Sequence, residues 1–301
     1  MTADRTVDVL IPHYNDVAGL AMSLRSLVRQ TGDQTIRAVI ADDGSEKEAQ
    51  RELRELIDGY PLDITLIVNE TNRGRPYTRN VLLDAMQSPY VAWFDAGDVW
   101  YDFKLEEQFK SFAAGDEARD DIWVTCNYDW QWVGKRPKRI FQVTGQDQVR
   151  ALLVGRDLRA YLWTILAPSK AFRKVGRFDE KLPRLQDLDF FLRFVSGGGR
   201  LVSCEDDRAL CRYHKTDIGR SAGQIRDCYA HIYRKHSGLY RGYGHAFRRS
   251  RLYEMELLSL RVAMKNRDLS AMAYHGGKAF LWKPESAVKR VLTALVPRRA
   301  A

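Results

Sequence analysis

The sequence predicts an α/β fold, a mostly parallel central sheet flanked by helices, followed by a helical C-terminal extension. Three observations lead there. Short β-rich runs alternate with helical stretches at close intervals through residue 95, the pattern of a parallel sheet. Polar clusters stand at the carboxyl ends of three of those runs, at Pro12–Asn15, Asp42–Ser45 and Asp95–Asp98, and such sheets bind ligands at those ends. Beyond about residue 224 the apolar spacing turns helical.

Taken in order, "VDVLIP" (7–12) is an apolar run ended by Pro12 and reads as a buried strand. Leu20, Leu24, Leu27 and Val28 recur at helical spacing and predict a helix over 17–30. "IRAVIADDGS" (36–45) is a strand running into a turn, and 46–58 a helix with Ser45 as candidate cap. "LDITLIV" (62–68) is a third strand. Residues 76–87 suit a helix with Pro76 in its first turn, where a missing N–H costs no hydrogen bond. "YVAWFD" (90–95) is a fourth strand. Residues 122–143 alternate like a hairpin bent at "VGKRPK". "QDLDFFLRFVS" (186–196) is an amphipathic helix ended by "GGGR", and "ALCRYH" (209–214) a strand. Helices are expected at 225–235, 248–266, 268–282 and 285–296. The division that follows is a sheet-bearing domain over 1–222 and a basic helical extension over 223–301.

Charge supports that division. The 301 residues carry 48 Lys/Arg against 39 Asp/Glu, a net +9. Residues 231–301 hold 15 of those bases against 4 acids, so the first 230 residues are slightly acidic. A basic tail suits anionic surfaces, and "AVKRVLTALVPRR" (287–299) sets Val288, Val291, Leu292 and Leu295 on one helical face beside Lys289 and Arg290. A helix packed on the core is slightly favoured, with an anionic membrane contact as the alternative; no nucleic-acid partner is expected. No apolar run is long enough to span a bilayer, and the N-terminus does not read as a secretory signal. Cys126, Cys204, Cys211 and Cys228 form no CxxC pair and read as buried thiols of a reducing compartment. The chain is expected to be cytoplasmic, peripheral on the inner face of the membrane.

Two nucleotide motifs are missing. "IPHYND" follows the first strand where a dinucleotide fold would carry GxGxxG, and there is no Walker A sequence. Acids and arginines remain. Asp42 and Asp43 end a strand, where a carboxylate can accept from a base N–H or bond its own turn. "NRGRPYTRN" (72–80) sets arginines, whose forks suit diphosphate oxygens, at a helix start. Asp95 and Asp98 lie among Trp93, Phe94, Val99 and Trp100, so a bare carboxylate there is costly. A hard cation such as Mg²⁺ or Mn²⁺, or ribose hydroxyls, would offset that cost. For Asp98 a helix cap is the alternative. Asp187 and Asp189 open a helix, and His214 follows a strand.

Together these stretches resemble the family 2 glycosyltransferases, which have the GT-A fold. The resemblance runs in the family's order from about residue 7 to 215. "VLIPHYND" resembles "vsiPtYN", "IADDGS" resembles "vDDGS", and "NRGRPYTRN" resembles "N.G...ARN". "PYVAWFDAGDVWYDFKLEEQ" resembles "yiafLDaDD.w...kle.q", and "VGRFDEKLPRLQDLDFFLRF" resembles "vGgFde.l...ED.dl.lR".

The resemblance implies inverting transfer from a UDP-, dTDP- or GDP-sugar to a hydroxyl of a glycan, lipid-linked or small-molecule acceptor. It implies that Pro12, Tyr14, Asp42 and Asp43 surround the base and that Arg79 lies near the nucleotide. Asp95 matches the first acid of the DxD motif, Asp187 the general base, and His214 a position that binds metal or phosphate in some members. Two departures matter. Gly97 replaces the second acid of DxD, the usual metal ligand. A Mn²⁺ or Mg²⁺ ion then depends on Asp95, Asp98 and His214. Otherwise the reaction needs no metal, and Arg75, Arg79, Lys215 or Arg220 must face the diphosphate. Gln186 replaces the acid beside the base. Both departures also suit a non-catalytic binding relative. A nucleotidyltransferase would want a glycine-rich basic loop after the first strand, and "PHYND" is not one.

Overall fold

The computed structural model describes residues 4–112, 120–132, 134–145, 147–215 and 221–287. The chain divides into two compact units, Met1–Thr216 and Asp217–Ala301.

The first unit opens with the expected alternation. β1 (Thr6–His13), α1 (Val17–Val28), β2 (Thr35–Asp42), α2 (Lys47–Ile57), β3 (Asp63–Val68), α3 (Arg75–Asp84) and β4 (Tyr90–Trp93) follow one another. Their strands run parallel in the order β4-β1-β2-β3. Val7, Val9, Leu10 and Ile11 of β1 are all fully buried, because both faces of this sheet are covered. Two local expectations are corrected. Val28 is 44% exposed, one position past the buried Leu20–Leu24–Leu27 stripe. Ser45 does not cap α2, whose N-cap is Glu46 without a side-chain bond; its hydroxyl donates to Asp42 at 2.5 Å instead.

The remainder departs further from the linear reading. β5 (Val99–Trp100), α4 (Lys104–Lys110), β6 (Ile122–Thr125), β7 (Tyr128–Trp132) and β8 (Lys138–Ile140) come first. α5 (Gln148–Val154), a 3₁₀ turn (Leu162–Thr164), β9 (Leu166–Pro168), α6 (Ser169–Val175), α7 (Gln186–Ser196), β10 (Arg200–Ser203) and β11 (Cys211–Lys215) follow. β9 enters the main sheet antiparallel to β4 and β6, and β10 lies parallel to β6 at the edge. Among the described residues the main sheet therefore has seven strands, β10-β6-β9-β4-β1-β2-β3, and a second sheet has four, β5-β11-β7-β8. The hairpin expected over 122–143 is confined to β7 and β8, because β6 pairs in the main sheet.

An aromatic layer fixes α7. Trp123 of β6 stacks on Phe194 with ring centroids 3.7 Å apart, and meets Phe191 edge-on at 5.3 Å. Phe190 stacks on Phe178 at 4.2 Å. Each of these rings is buried, and such side chains dominate core energetics.

The second unit holds α8 (Ala222–Lys235), α9 (Ser237–Gly242), α10 (Gly244–Lys265) and α11 (Leu269–Trp282). Ser221 and Asp268 cap α8 and α11 by accepting from the Gln224 and Ala271 N–H groups. Tyr253, Leu257 and Ala279 form its small core, and His275 bonds Glu256 at 2.7 Å. No helix of the described residues is long and apolar enough to cross a membrane. Arg220, residues 288–299 of the basic tail and most of the helix expected at 285–296 lie outside the described residues.

One charge is buried in the sheet itself. Asp8 of β1 pairs with Arg37 of β2 through two bonds of 2.8 Å, and accepts from Ser88 and the Gln87 and Ser88 N–H groups. Burial pushes its carboxyl up, but Arg37 and the Ser88 and Gln87 donors outweigh it, so its pKa lies below the ordinary value. Asp8→Asn leaves Arg37 without its counter-charge, and unfolding free energy from urea titration is expected to fall by about 3–5 kcal/mol. Because the folded pKa is the lower one, the wild-type advantage is complete above the unfolded value near 3.9 and disappears as pH falls through the folded value. A gap between variant and wild type that does not narrow with acid would contradict this account.

Candidate active site

Pro12 and Tyr14 stand at the end of β1, Asp42 and Asp43 at the end of β2, and Asp95 just past β4. With β1 between β4 and β2, the outer two strand ends are about 10 Å apart at ordinary strand spacing.

Asp42 is fully buried. It accepts from Ser45 Oγ and the Ser45 N–H, and its Oδ1 lies 2.7 Å from His13 Nδ1. Burial raises its pKa, but His13 and Ser45 more than reverse that, so the group stays ionised and holds the turn. Asp43, 5% exposed, accepts from the Arg73 and Gly74 N–H groups at 3.0 and 2.8 Å and from Asn69 at 3.2 Å. It thereby sets the entry into α3. Gly44, at φ +66°, passes so close to Thr71 that a Cβ would sit 2.4 Å from its carbonyl carbon. Tyr14 is 48% exposed, so its ring can cover a nucleotide base.

α3 delivers Arg79, 1% exposed, to the centre. One guanidinium nitrogen donates to Asp187 and another reaches Asp95 Oδ1 at 3.3 Å. The Trp93 and Phe178 rings flank it at 5.7 and 5.6 Å. Burial alone would lower the Arg79 pKa; Asp187 and Asp95 turn the shift upward, so the cation is permanent. In return Arg79, and then Arg75, override the burial of Asp95 and hold its carboxyl below the ordinary range. Asp187 sits in the first turn of α7, 18% exposed at the side chain, and its Oδ2 accepts from the Leu162 N–H at 3.3 Å. Leu185, the residue before the helix, has φ +62°, an uncommon conformation for leucine.

The Asp95–Asp98 turn is held from α1. Ser23 Oγ donates to the Asp98 carbonyl at 2.8 Å and accepts from the Gly97 N–H at 3.0 Å. Gly97 has φ +93°, where an aspartate would be strained. Asp98 does not cap a helix, since β5 follows it; its Oδ1 accepts from the His214 N–H at 3.0 Å. Its Oδ2 is buried with no partner. Burial first, then the charge of Asp95, pushes the Asp98 carboxyl well above the ordinary value. His214 Nδ1 lies 2.9 Å from the Gly97 carbonyl, which can only accept, so Nδ1 carries a proton and donates there. Among the described residues no three His, Cys, Asp or Glu side chains stand close enough to hold a metal ion between them. The unpartnered Asp98 oxygen beside Asp95 nevertheless fits a cation that takes its other ligands from phosphate oxygens.

Arg79 therefore brings Asp95 and Asp187 together, and Asp98 joins His214, while Asp42 and Asp43 shape turns. Linear reading missed Ser23 and the Leu162 N–H. The signal for Ser23 was a serine falling between Leu20, Leu24 and Leu27 on a buried helix face.

Known proteins resemble this chain in sequence and in fold. The family model for glycosyl transferase family 2 matches residues 8–163. An uncharacterized glycosyltransferase of Methanocaldococcus jannaschii is 25% identical over 199 residues, 63% of this chain and 64% of that protein. The teichoic acid poly(glycerol phosphate) polymerase of Staphylococcus epidermidis is 28% identical over 195 residues, 64% of this chain and 26% of that one. The match thus spans less than two thirds of either relative. The crystal structure of S. aureus TarS 1-349 in complex with UDP-GlcNAc superposes with a TM-score of 0.60 at 17% identity, covering 97% of this chain and 93% of that one. That likeness gives the fold, GT-A, and the match over more than half of the sequence gives the family: the chain belongs to glycosyl transferase family 2.

Proposed function

We propose that the protein moves a sugar from a nucleoside diphosphate donor to an acceptor hydroxyl, with inversion and with Asp187 as general base. The observation that carries this reading is the single buried guanidinium that joins Asp95, at the donor strand end, to Asp187 on α7. The binding of UDP-GlcNAc by TarS supports such a donor.

The geometry supports the following division of labour. Tyr14 covers the base, and Asp95 accepts from ribose hydroxyls, which its depressed pKa keeps it able to do. Arg75, the first residue of α3, faces the diphosphate together with the helix N-terminus, where negative charge grows as the bond to the anomeric carbon breaks. A divalent cation held by Asp95 and Asp98 would offset that same charge when bound. Asp187 takes the acceptor proton. Arg79 and the Leu162 N–H hold this carboxylate in place for that transfer. Attack by the acceptor on the face opposite the diphosphate inverts the anomeric centre.

Asp187→Asn is expected to lower transfer by about 10²–10⁴-fold while UDP affinity is retained. Near wild-type transfer would remove Asp187 from the role, and UDP binding by a wild type that transfers no sugar would favour the non-catalytic reading. Arg79→Gln removes the nearest positive charge from Asp95, so its carboxyl protonates at higher pH. The acid limb of UDP affinity, followed by calorimetry, should move upward; an unmoved limb would mean that Asp95 does not meet the nucleotide. EDTA should abolish transfer and Mn²⁺ restore it, with Asp98→Asn raising the Mn²⁺ requirement about 10–100-fold. Full activity in EDTA would leave Asp98 only its bond to His214.

A further inference from the structure

The second sheet carries an aromatic stripe that the donor chemistry does not use. On β7, Tyr128, Trp130 and Trp132 point to one face, and exposure climbs from 0% at Tyr128 to 43% at Trp132. Tyr213 of β11 is the register partner of Trp130, with ring centroids 4.7 Å apart. The Tyr161 ring lies 6.1 Å from Trp130. Two of these rings adjoin the catalytic groups. Tyr161 precedes Leu162, whose N–H reaches Asp187, and Tyr213 precedes His214, whose N–H reaches Asp98. Burial, then Asp98 and Asp95, pushes the Tyr213 phenol up to about 12, so it remains a hydroxyl at any working pH.

At its outer end the stripe meets positive charge. The bend between β7 and β8 and the first residues of β8 expose Lys135, Arg136, Lys138 and Arg139. Lys138 is the cross-strand partner of Trp130, and Arg139 lies 3.7 Å from Asp129. Aromatic faces suit the C–H faces of sugars or polyols, since both are apolar in the middle and polar at the rim. Arg139, opposite Asp129, belongs to the other face. A neutral chain has no use for the three remaining clustered cations, whereas phosphate or carboxylate groups along a chain do.

We propose that the Trp130–Trp132–Tyr213 face and the Lys135–Lys138 bend bind an anionic sugar or polyol chain and lead its terminal hydroxyl to Asp187. The Asp187 end of this path rests on the proposed function. The rest stands on the aromatic and basic surfaces alone.

Tryptophan fluorescence of the full chain is titrated with four probes: a glycerol-phosphate oligomer, hexagalacturonate, maltohexaose and a short oligo(dT). At least one of the two anionic sugar or polyol chains should bind about tenfold more tightly than maltohexaose and oligo(dT). Trp132→Ala, at an exposed position, should weaken that binding about tenfold, and joint Lys135→Ala, Arg136→Ala and Lys138→Ala about 100-fold, with loss of salt dependence. Retained UDP affinity shows that both variants are folded. The proposal is overturned by equal binding of maltohexaose or oligo(dT), by unchanged affinity in either variant, or by no binding of either anionic chain. UDP binding is read separately, so failure of the donor site and failure of this surface give different results.

Discussion

A buried guanidinium organises this protein. Arg79 is nearly inaccessible, and a charge in that position is tolerable only with counter-charge and hydrogen bonds. Asp95 and Asp187 supply both, from segments 16 and 108 residues away in sequence. The pairing is reciprocal. The carboxylates keep the arginine charged, and the arginine keeps Asp95 ionised against its burial. Because Arg79 Nε has no partner, the arrangement is not a fully satisfied structural network. Removing Arg79 leaves two carboxylates without their counter-charge at the junction of β4, α3 and α7, whereas removing either acid leaves a balanced pair and a guanidinium nitrogen without its acceptor.

Each arm of that junction is fixed by ordinary packing. α3 enters where Asp43 takes the Arg73 and Gly74 N–H groups, and the turn before it closes only because Gly44 lacks a Cβ. α7 is pinned by Phe190, Phe191 and Phe194 against Trp123, a contact made by rings rather than charge. The Asp95–Asp98 turn hangs on Ser23. Its glycine, which breaks the family's acidic pattern, occupies a positive-φ position that favours glycine. The acid missing from position 97 and the raised pKa of Asp98 are thus two sides of one turn. The remaining carboxylate is drawn inward to the His214 N–H, with one oxygen left bare.

The parallel half was legible because its signals are local. Apolar runs of strand length separated by helical spacing need no partner to be read, and β1 through β4 fall where the periodicity puts them. The other half was not, because its elements gain their identity from neighbours. β5 has two residues and β9 three, too few for any period, and β9 is a strand only through its pairing with β4 and β6. In the site, motif order located Asp95, Asp187 and Arg79, yet their convergence depends on packing of distant segments that no window along the chain contains. Asp42 and Asp43 show the reverse limit. As adjacent acids at one strand end they are equivalent in sequence, and in the structure one bonds His13 and Ser45 while the other bonds the backbone entering α3.

The two sheets differ in what they can vary. The parallel strands are covered on both faces, so a change in them disturbs the core before it reaches the ligand. The second sheet is short and meets the Asp95–Asp98 turn through β5, which continues it, and β11, through the His214 N–H on Asp98 and its Nδ1 on the Gly97 carbonyl. Its other strands can change side chains at Trp130, Trp132 and the basic bend without touching Arg79 or its two carboxylates. A scaffold built this way can hold the Arg79 centre constant while the surface beside it is reshaped. Aromatic and basic residues therefore accumulate on β7 and β8, whereas the cation on β2, Arg37, is held within the sheet by its counter-charge Asp8.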